Sequence, residues 1–407
     1  MQIILLGVLM FSAVILTLVV LLLLAKRRLV QSGDVSIEIN DDPENTLSTH
    51  AGSTLLGTLA AEKIFVPSAC GGKGTCGTCK CVVEEGGGDI LPTELTHVSR
   101  KERLENVRLA CQLKVKEDLK IHIPAEIFSI RKYNSTVVSN ESVATFIKEL
   151  VLQLDPGEQL DFKAGAYIQI DIPEYEISFK DFCIADRFRS TWEQFNLRGL
   201  RAAAEEPVFR AYSLANPPLE KSRLMFTIRI ATPPPGTTGI PPGVGSSYVF
   251  SLNPDDRVVL SGPYGDFFVK DTEREMCFIG GGAGMAPMRC HILHQLLEVK
   301  TKRKMTFWYG ARSRQEMFYH EEFRELDEKF ENFSYCVALS EPMPADNWDG
   351  QTGFIHQCAC DEYLAGHKDP TEIEYYLCGP PMMIDAVMKM LDGLGVEPEM
   401  ISFDDFG

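Results

Sequence analysis

A chain of 407 residues is long enough for roughly two to four domains, and a hydrophobic share of 45% is ordinary for packed cores. A formal net charge of −17 argues against nucleic acid as a partner, because its phosphates would be repelled. Twelve cysteines, mostly scattered singly with one dense group from Cys70 to Cys81, argue against a disulfide scaffold and for one metal site in a reducing compartment.

Ile3 to Ala25 carries no charged residue and is dominated by Leu, Val and Ile. About 20 apolar residues span the hydrocarbon core of a bilayer, so this run predicts a transmembrane helix. Lys26, Arg27 and Arg28 follow at once and put the rest of the chain in the cytoplasm under the positive-inside rule. A cleaved signal peptide would need a basic region before the apolar run and small residues at its end; the sequence shows neither. A single uncharged span offers no ion path.

Residues 29–34 read as a linker. Val35-Ser36-Ile37-Glu38-Ile39 alternates as a strand does, Thr54 to Ala61 predicts a short helix, and residues 107–123 return to strand-like alternation before Pro124. From about 128 to 269, short β-like runs alternate with Pro and Gly clusters, the pattern of a small antiparallel barrel. Residues 175–206, polar and aromatic, interrupt it as an inserted excursion. Beyond about 272, strands near 276–279, 304–309, 334–339 and 374–378 alternate with helices near 287–300, 316–330 and 382–394. That alternation predicts a parallel sheet covered by helices. The expected architecture is therefore multidomain: a transmembrane anchor at 1–28, an α+β domain at 33–126, an antiparallel β-barrel at 129–269 and an α/β parallel-sheet domain at 272–407.

Cys70, Cys76 and Cys79 share one glycine-rich loop, and Cys111 follows much later. Thiolates are soft ligands suited to iron–sulfur clusters. Glycine tolerates the tight, left-handed turns that wrapping a cluster requires, and loop amides can donate to the sulfurs. Zinc is the alternative, but zinc sites usually pair two knuckles, whereas here one C-x-x-C stands with two single cysteines. Cys81 reads as a core strand residue. The loop resembles that of plant-type ferredoxins, with C-x₅-C-x₂-C in place of C-x₄-C-x₂-C. The resemblance implies a β-grasp domain with a [2Fe–2S] cluster on Cys70, Cys76, Cys79 and Cys111.

Arg210-Ala211-Tyr212-Ser213 pairs a guanidinium able to clamp a pyrophosphate with a ring able to stack on a flavin and a hydroxyl able to bond near its N5. An ordinary barrel strand is the alternative. The segment resembles the R-x-Y-S motif of ferredoxin–NADP reductase-like flavoenzymes. That resemblance implies FAD on Arg210, Tyr212 and Ser213, with the pyrophosphate on the loop and helix start at Gly245, Ser246 and Ser247. Gly280-Gly281-Gly282-Ala283-Gly284, directly after a strand and before a helix, lets a dinucleotide approach the backbone. It resembles the same family's nicotinamide-nucleotide turn, and Cys378-Gly379-Pro380 resembles its C-G-P segment. The implied NADH residues are Gly281, Gly282, Gly284, Cys378 and Gly379, with Ser213 and Cys378 at the reacting atoms. A generic turn and a buried strand thiol are the alternatives. The family's terminal aromatic on the flavin corresponds to Phe406. Glu341, where a 2′-phosphate would sit, favours NADH over NADPH.

A hydride carries two electrons, a [2Fe–2S] cluster takes one at a time, and a flavin handles both, so the motifs predict flow from NADH through FAD to the cluster. With the anchor, the extra loop residue and the 175–206 insertion, the whole chain resembles the F subunits of the sodium-translocating NADH:quinone reductases. That resemblance implies a complex with other subunits in a bacterial inner membrane, quinone as ultimate acceptor and sodium pumping elsewhere in the assembly. The alternative is a membrane-tethered NADH-dependent reductase component of an oxygenase or desaturase.

Overall fold

The computed structural model describes residues 6–7, 10–20, 34–234, 237 and 239–405. Lys26, Arg27, Arg28 and Phe406 lie outside them, as does part of the apolar run. Residues 10–20 are helical. Among the described residues, no helix is long and apolar enough to cross a membrane. The chain divides into two compact units, Met1–Ile130 and Arg131–Gly407.

The first unit is built on a mixed five-stranded sheet in the order β2-β1-β5-β3-β4. Strands β1 (Asp34–Ile39) and β2 (Asp42–His50) form a hairpin, and β5 (Leu119–His122) pairs with β1 in parallel. The alternation read at 35–39 is real: Val35, Ile37 and Ile39 are buried. Helix α1 (Leu55–Ala61) starts where Thr54 Oγ1 accepts from Gly57 N, and it buries Leu55, Leu56 and Leu59. The alternation at 107–123 resolves into two short strands, β4 (Val107–Leu109) and β5, because the backbone between them turns to pair elsewhere, including a bridge between Lys114 and Thr54. Strand β3 (Lys80–Glu85) leaves the cysteine loop and lies between β5 and β4. A capping box of Ser99 and Glu102 starts helix α2 (Arg100–Leu104).

The second unit begins with a six-stranded antiparallel sheet in the order β11-β8-β13-β6-β7-β12. Its strands are β6 (Arg131–Ala144), β7 (Ile147–Leu154), β8 (Tyr167–Ile172), β11 (Val208–Ser213), β12 (Arg223–Arg229) and β13 (Arg257–Tyr264). The two edges meet where Ala215 N donates to Met225 O at 2.8 Å, which closes the barrel. Leu150, Leu152, Ile168, Ile170, Phe226 and Leu260 fill it. The excursion is a substructure of its own. Strands β9 (Tyr175–Ser178) and β10 (Arg201–Ala204) pair antiparallel, helix α3 (Asp186–Gln194) joins them, and Phe179, Phe188 and Trp192 form a separate core. After it, α4 (Val244–Ser251) crosses the barrel.

The rest is a parallel sheet in the order β17-β16-β15-β14-β18-β19. Strand β14 (Met276–Gly281) is wholly buried, with β15 (Met305–Ala311) on one side and β18 (Glu374–Gly379) on the other. Strands β16 (Phe333–Leu339), β17 (Gln351–Thr352) and β19 (Ile401–Asp405) complete it. The strand order reverses between β14 and β18, which is where ligands bind in open α/β sheets. Two expected helices differ in detail. The first starts at Met285 as α5 (Met285–Leu293) and widens into a π-turn over His294–Val299. Pro287 is tolerated because it lies in the first turn, where its missing N–H has no intrahelical partner. The helix expected from 316 is instead a 3₁₀ turn, Arg314–Glu316, followed by α6 (His320–Lys329). Tyr319 breaks it in the left-handed conformation, φ 60°, while Glu316 and Tyr319 reach across to Thr145 and Glu149 of the barrel. Helices α7 (Ile355–Ala359) and α8 (Pro381–Gly393) complete the cover.

Candidate functional site

Three neighbourhoods assemble the residues that the sequence points to. In the first unit, Ala110 N donates to Cys79 O at 2.8 Å and Lys80 pairs with Leu109, so β3 and β4 bring Cys79 and Cys111 together. The loop closes over them. Gly74 holds φ +77°, and a Cβ there would lie 2.5 Å from Gln112 Nε2. Donors surround the sulfurs: Cys70 N and Thr78 Oγ1 lie 3.4 and 3.1 Å from Cys76 Sγ, and Gln112 Nε2 lies 3.5 Å from Cys111 Sγ. Burial works against ionisation of Cys70, but hydrogen bonds from Thr75 and Cys76 outweigh it and bring the thiol down to about 6. The Cys79 thiol bonds to Cys111, which brings Cys111 down to about 7 and pushes Cys79 up. The ease of forming thiolates at Cys70 and Cys111 suits a cluster that needs them. Cys81 is buried and donates to Arg108 O, as a core residue.

Sequence reading missed the support beneath Cys111. Arg108 forks onto the buried Glu94 through Nε and Nη2 at 3.0 and 2.8 Å, and spends its other N–H groups on the carbonyls of Gly87, Gly88 and Asp89. Glu94 also accepts from Leu91 N and Leu109 N. Burial opposes the charge on Glu94, yet Arg108 and these amides hold its carboxyl below the usual range. Every polar atom of the pair is used, so loss of either partner would cost about 3–5 kcal/mol.

On the barrel, Gly245 near the start of α4 packs directly on two side chains of β11. A Cβ on Gly245 would lie 2.6 Å from both Arg210 Cγ and Tyr212 Oη. Gly245, Ser246, Ser247, Arg210 and Tyr212 thus meet at the start of α4. Ser246 Oγ is committed to the local backbone, accepting from Ala231 N and donating to Gly243 O. Ser247 Oγ is buried and has no hydrogen-bond partner among the described residues. A buried orphan hydroxyl in the first turn of a helix that packs on the Arg210 side chain, whose Nη1 here donates to Phe209 O at 2.6 Å, fits an anionic group such as the FAD pyrophosphate. Two supports are invisible in the motif. Tyr175, from the excursion, donates to Val244 O at 2.5 Å, and the buried Lys148 donates to Phe250 O at the far end of α4.

At the sheet, Gly280 stands opposite Cys378 in register. A Cβ on Gly284 would lie 2.2 Å from Cys378 O, and one on Gly379 would lie 3.1 Å from Gly281 O. Gly282 holds φ +58° with open space above it. The turn and the Cys378–Gly379 segment therefore form one surface, Gly281 and Gly284 packed into it and Gly282 facing outward, which fits a dinucleotide laid on backbone. Ser213 joins this surface from the barrel: its Oγ donates to Asp404 Oδ2 at 3.0 Å, and Asp404 stands beside Cys378 in register on β19. Asp404 is a functional candidate that the sequence did not single out. Glu341 follows β16 and accepts from Arg312 Nη2 at 2.7 Å, so an arginine shares its position. Phe406 lies outside the described residues.

Comparison with known proteins follows the same division. Residues 37–116 match the 2Fe-2S iron-sulfur cluster binding domain, 194–269 the oxidoreductase FAD-binding domain and 278–389 the oxidoreductase NAD-binding domain. A cytochrome P450 reductase from Amycolatopsis superimposes with a TM-score of 0.64 at 25% identity, covering 91% of this chain and 98% of that one. Fold and site thus define an NAD- and FAD-dependent oxidoreductase with its own [2Fe–2S] domain. The F subunit of the Na(+)-translocating NADH-quinone reductase of Serratia proteamaculans is 54% identical over 404 residues, 99% of each chain. That of Neisseria gonorrhoeae is 53% identical, again over 99% of each chain. The chain belongs to this family.

Proposed function

We infer that the protein is the NADH-oxidising subunit of a sodium-translocating NADH:quinone reductase complex, taking hydride from NADH onto FAD and passing single electrons to its [2Fe–2S] cluster. The observation that carries this reading is the meeting of Ser213, Asp404, Cys378 and the glycine turn at the strand-order reversal, in a chain that also brings a three-cysteine loop to Cys111. When bound, FAD converts two-electron hydride chemistry into one-electron steps, and the cluster carries those electrons singly. The chain's own residues bind, orient and move a proton. Arg210, the α4 amides and Ser247 hold the pyrophosphate; Tyr212 offers its ring; Gly281, Gly282, Gly284 and Gly379 leave room for NADH. Discharging a hydride one electron at a time leaves a proton behind. Ser213 Oγ, bonded to the Asp404 carboxylate, gives it a route. Cys378, fully buried at the end of β18, shapes the floor under the reacting atoms rather than serving as a nucleophile.

Glu341 selects NADH by occupying Arg312, a guanidinium at the end of the second strand of the sheet, where NADP sites use such a group for the 2′-phosphate. Glu341→Gln frees it. The expected result is a rise of about tenfold in kcat/KM for NADPH, the effect of about 1.4 kcal/mol of recovered pairing. Glu341→Gln with Arg312→Gln loses the gain. An unchanged NADPH rate in the single variant removes Glu341 from the selector role.

The uncharged run from Ile3 to Ala25, with Lys26, Arg27 and Arg28 behind it, supports a single-pass anchor in a bacterial inner membrane with the soluble domains in the cytoplasm. The family supports partner subunits that deliver the electrons to quinone. Deletion of residues 1–33 tests this: the shortened chain is expected to stay soluble without detergent, keep NADH oxidation with an artificial acceptor, and no longer co-purify with polytopic subunits. Extraction of the full chain by salt alone, or its isolation with an oxygenase, contradicts the reading.

A further inference from the structure

Helix α5 begins at the glycine turn and runs along the flavin barrel. Its Arg289 is largely buried, with Nε and Nη2 forked onto Glu322 at 2.7 and 2.6 Å. The third arm leaves the nucleotide domain: Nη1 donates to Ala215 O at 2.9 Å, two residues beyond Ser213. The guanidinium lies over the Tyr319 ring, 4.9 Å from its centroid, and the Tyr319 hydroxyl donates to Glu149 on β7. Nearby, the barrel loop comes so close to α5 that a Cβ on Gly165 would lie 2.6 Å from His291 Cε1. Thr227 Oγ1 of β12 donates to Ala283 O inside the glycine turn itself at 3.0 Å. One rigid, planar group therefore links the element that starts at the nucleotide turn to the segment that carries Ser213. A lysine could not hold Glu322 in a fork and Ala215 together.

We propose that Arg289 is a positioning residue for hydride transfer, fixing the nucleotide turn against the end of β11 so that nicotinamide and flavin meet at the reacting distance. The proposal rests on the reading above, that Ser213 and the glycine turn face FAD and NADH. A misplacement of about 1 Å can cost about a hundredfold in rate, so a bond that sets this spacing acts on hydride transfer more than on NADH affinity.

The test uses the full-length holoenzyme, rapid mixing with NADH, and NADH deuterated at the transferred position. Arg289→Met is expected to slow flavin reduction by about ten- to a hundredfold, to raise the primary isotope effect on kcat, and to leave the KM for NADH nearly unchanged; Arg289→Lys recovers part of the rate. Glu316→Ala serves as comparison, since it removes both bonds to Thr145 across the same junction without touching α5 or the segment after Ser213. Wild-type rate and isotope effect in Arg289→Met overturn the proposal. So does an equal loss in Glu316→Ala, which would make Arg289 one fastening among several. Where Arg289→Met does not fold, Arg289→Lys decides, and an unchanged isotope effect there overturns the proposal. Failure of NADH to reduce the wild-type flavin would instead sink the functional reading beneath it.

Discussion

Cys76→Ser is expected to give a protein that binds FAD, reduces it with NADH at the wild-type rate, and passes nothing onward. Cys76 sits on the partly exposed side of its loop, receiving Cys70 N and Thr78 Oγ1. It carries none of the packing that Cys79 and Cys111 bury between β3 and β4. Replacing sulfur with oxygen removes a soft thiolate ligand with little change in volume, so the ferredoxin fold survives while the cluster is lost. Acid-labile sulfide and the electron paramagnetic resonance signal of the NADH-reduced protein should vanish, and quinone reduction by the assembled complex should fall to background. The flavin and nucleotide residues lie in the separate unit from Arg131 to Gly407, which is why hydride uptake should be spared. Loss of both activities would mean that the two units are not functionally separable.

Gly245→Ala should have the opposite effect, removing the flavin and sparing the cluster. The added methyl would sit 2.6 Å from Arg210 Cγ and Tyr212 Oη, so both must give way or α4 must lift off β11. Over-packing of this kind costs about 1–3 kcal/mol, and here the displaced groups are Arg210 and Tyr212, the residues proposed to clamp the pyrophosphate and carry the flavin. FAD affinity should fall at least about tenfold, seen as purified protein with depleted flavin absorbance and intact cluster absorbance. Adding excess FAD should restore NADH oxidation in part. A variant with full flavin content would show that the start of α4 does not carry the pyrophosphate.

What could be read from the sequence was what sits close together in it. The cysteine loop, the Arg210 to Ser213 strand end and the glycine turn each hold their residues within a dozen positions, and each stays a compact local cluster in the fold. The 175–206 excursion also showed itself, because its polar and aromatic content breaks the barrel's alternation, and its aromatics form a cluster with Ile230 and Phe250 apart from the barrel core. The residues missed have distant partners. Asp404 meets Ser213 across 191 positions, Glu316 meets Thr145 across 171, and Arg289 meets Ala215 across 74. No periodicity or spacing rule reports such pairs. Glu94 is nearer to Arg108, 14 positions away, but a glutamate in a polar loop looks solvated until the fold buries it. The first turn of the helix expected over 316–330 is missing for the same reason, while His320–Lys329 is helical as expected. Glu316 and Tyr319 have ordinary helical neighbours, and only the barrel they reach pulls the backbone into a 3₁₀ turn and a left-handed residue.

The central claim is an order: electrons enter as hydride at the flavin and leave through the four-cysteine cluster. Rapid mixing of the anaerobic, detergent-extracted full-length protein with one equivalent of NADH tests it most directly, with flavin and cluster absorbance followed together and samples frozen for paramagnetic resonance. The account predicts that flavin absorbance falls first, that cluster reduction follows at the rate at which flavin absorbance partly returns, and that the second phase alone is missing in Cys76→Ser. Cluster reduction that precedes flavin bleaching, or a flavin that bleaches while the cluster stays oxidised in the wild-type protein, would contradict it.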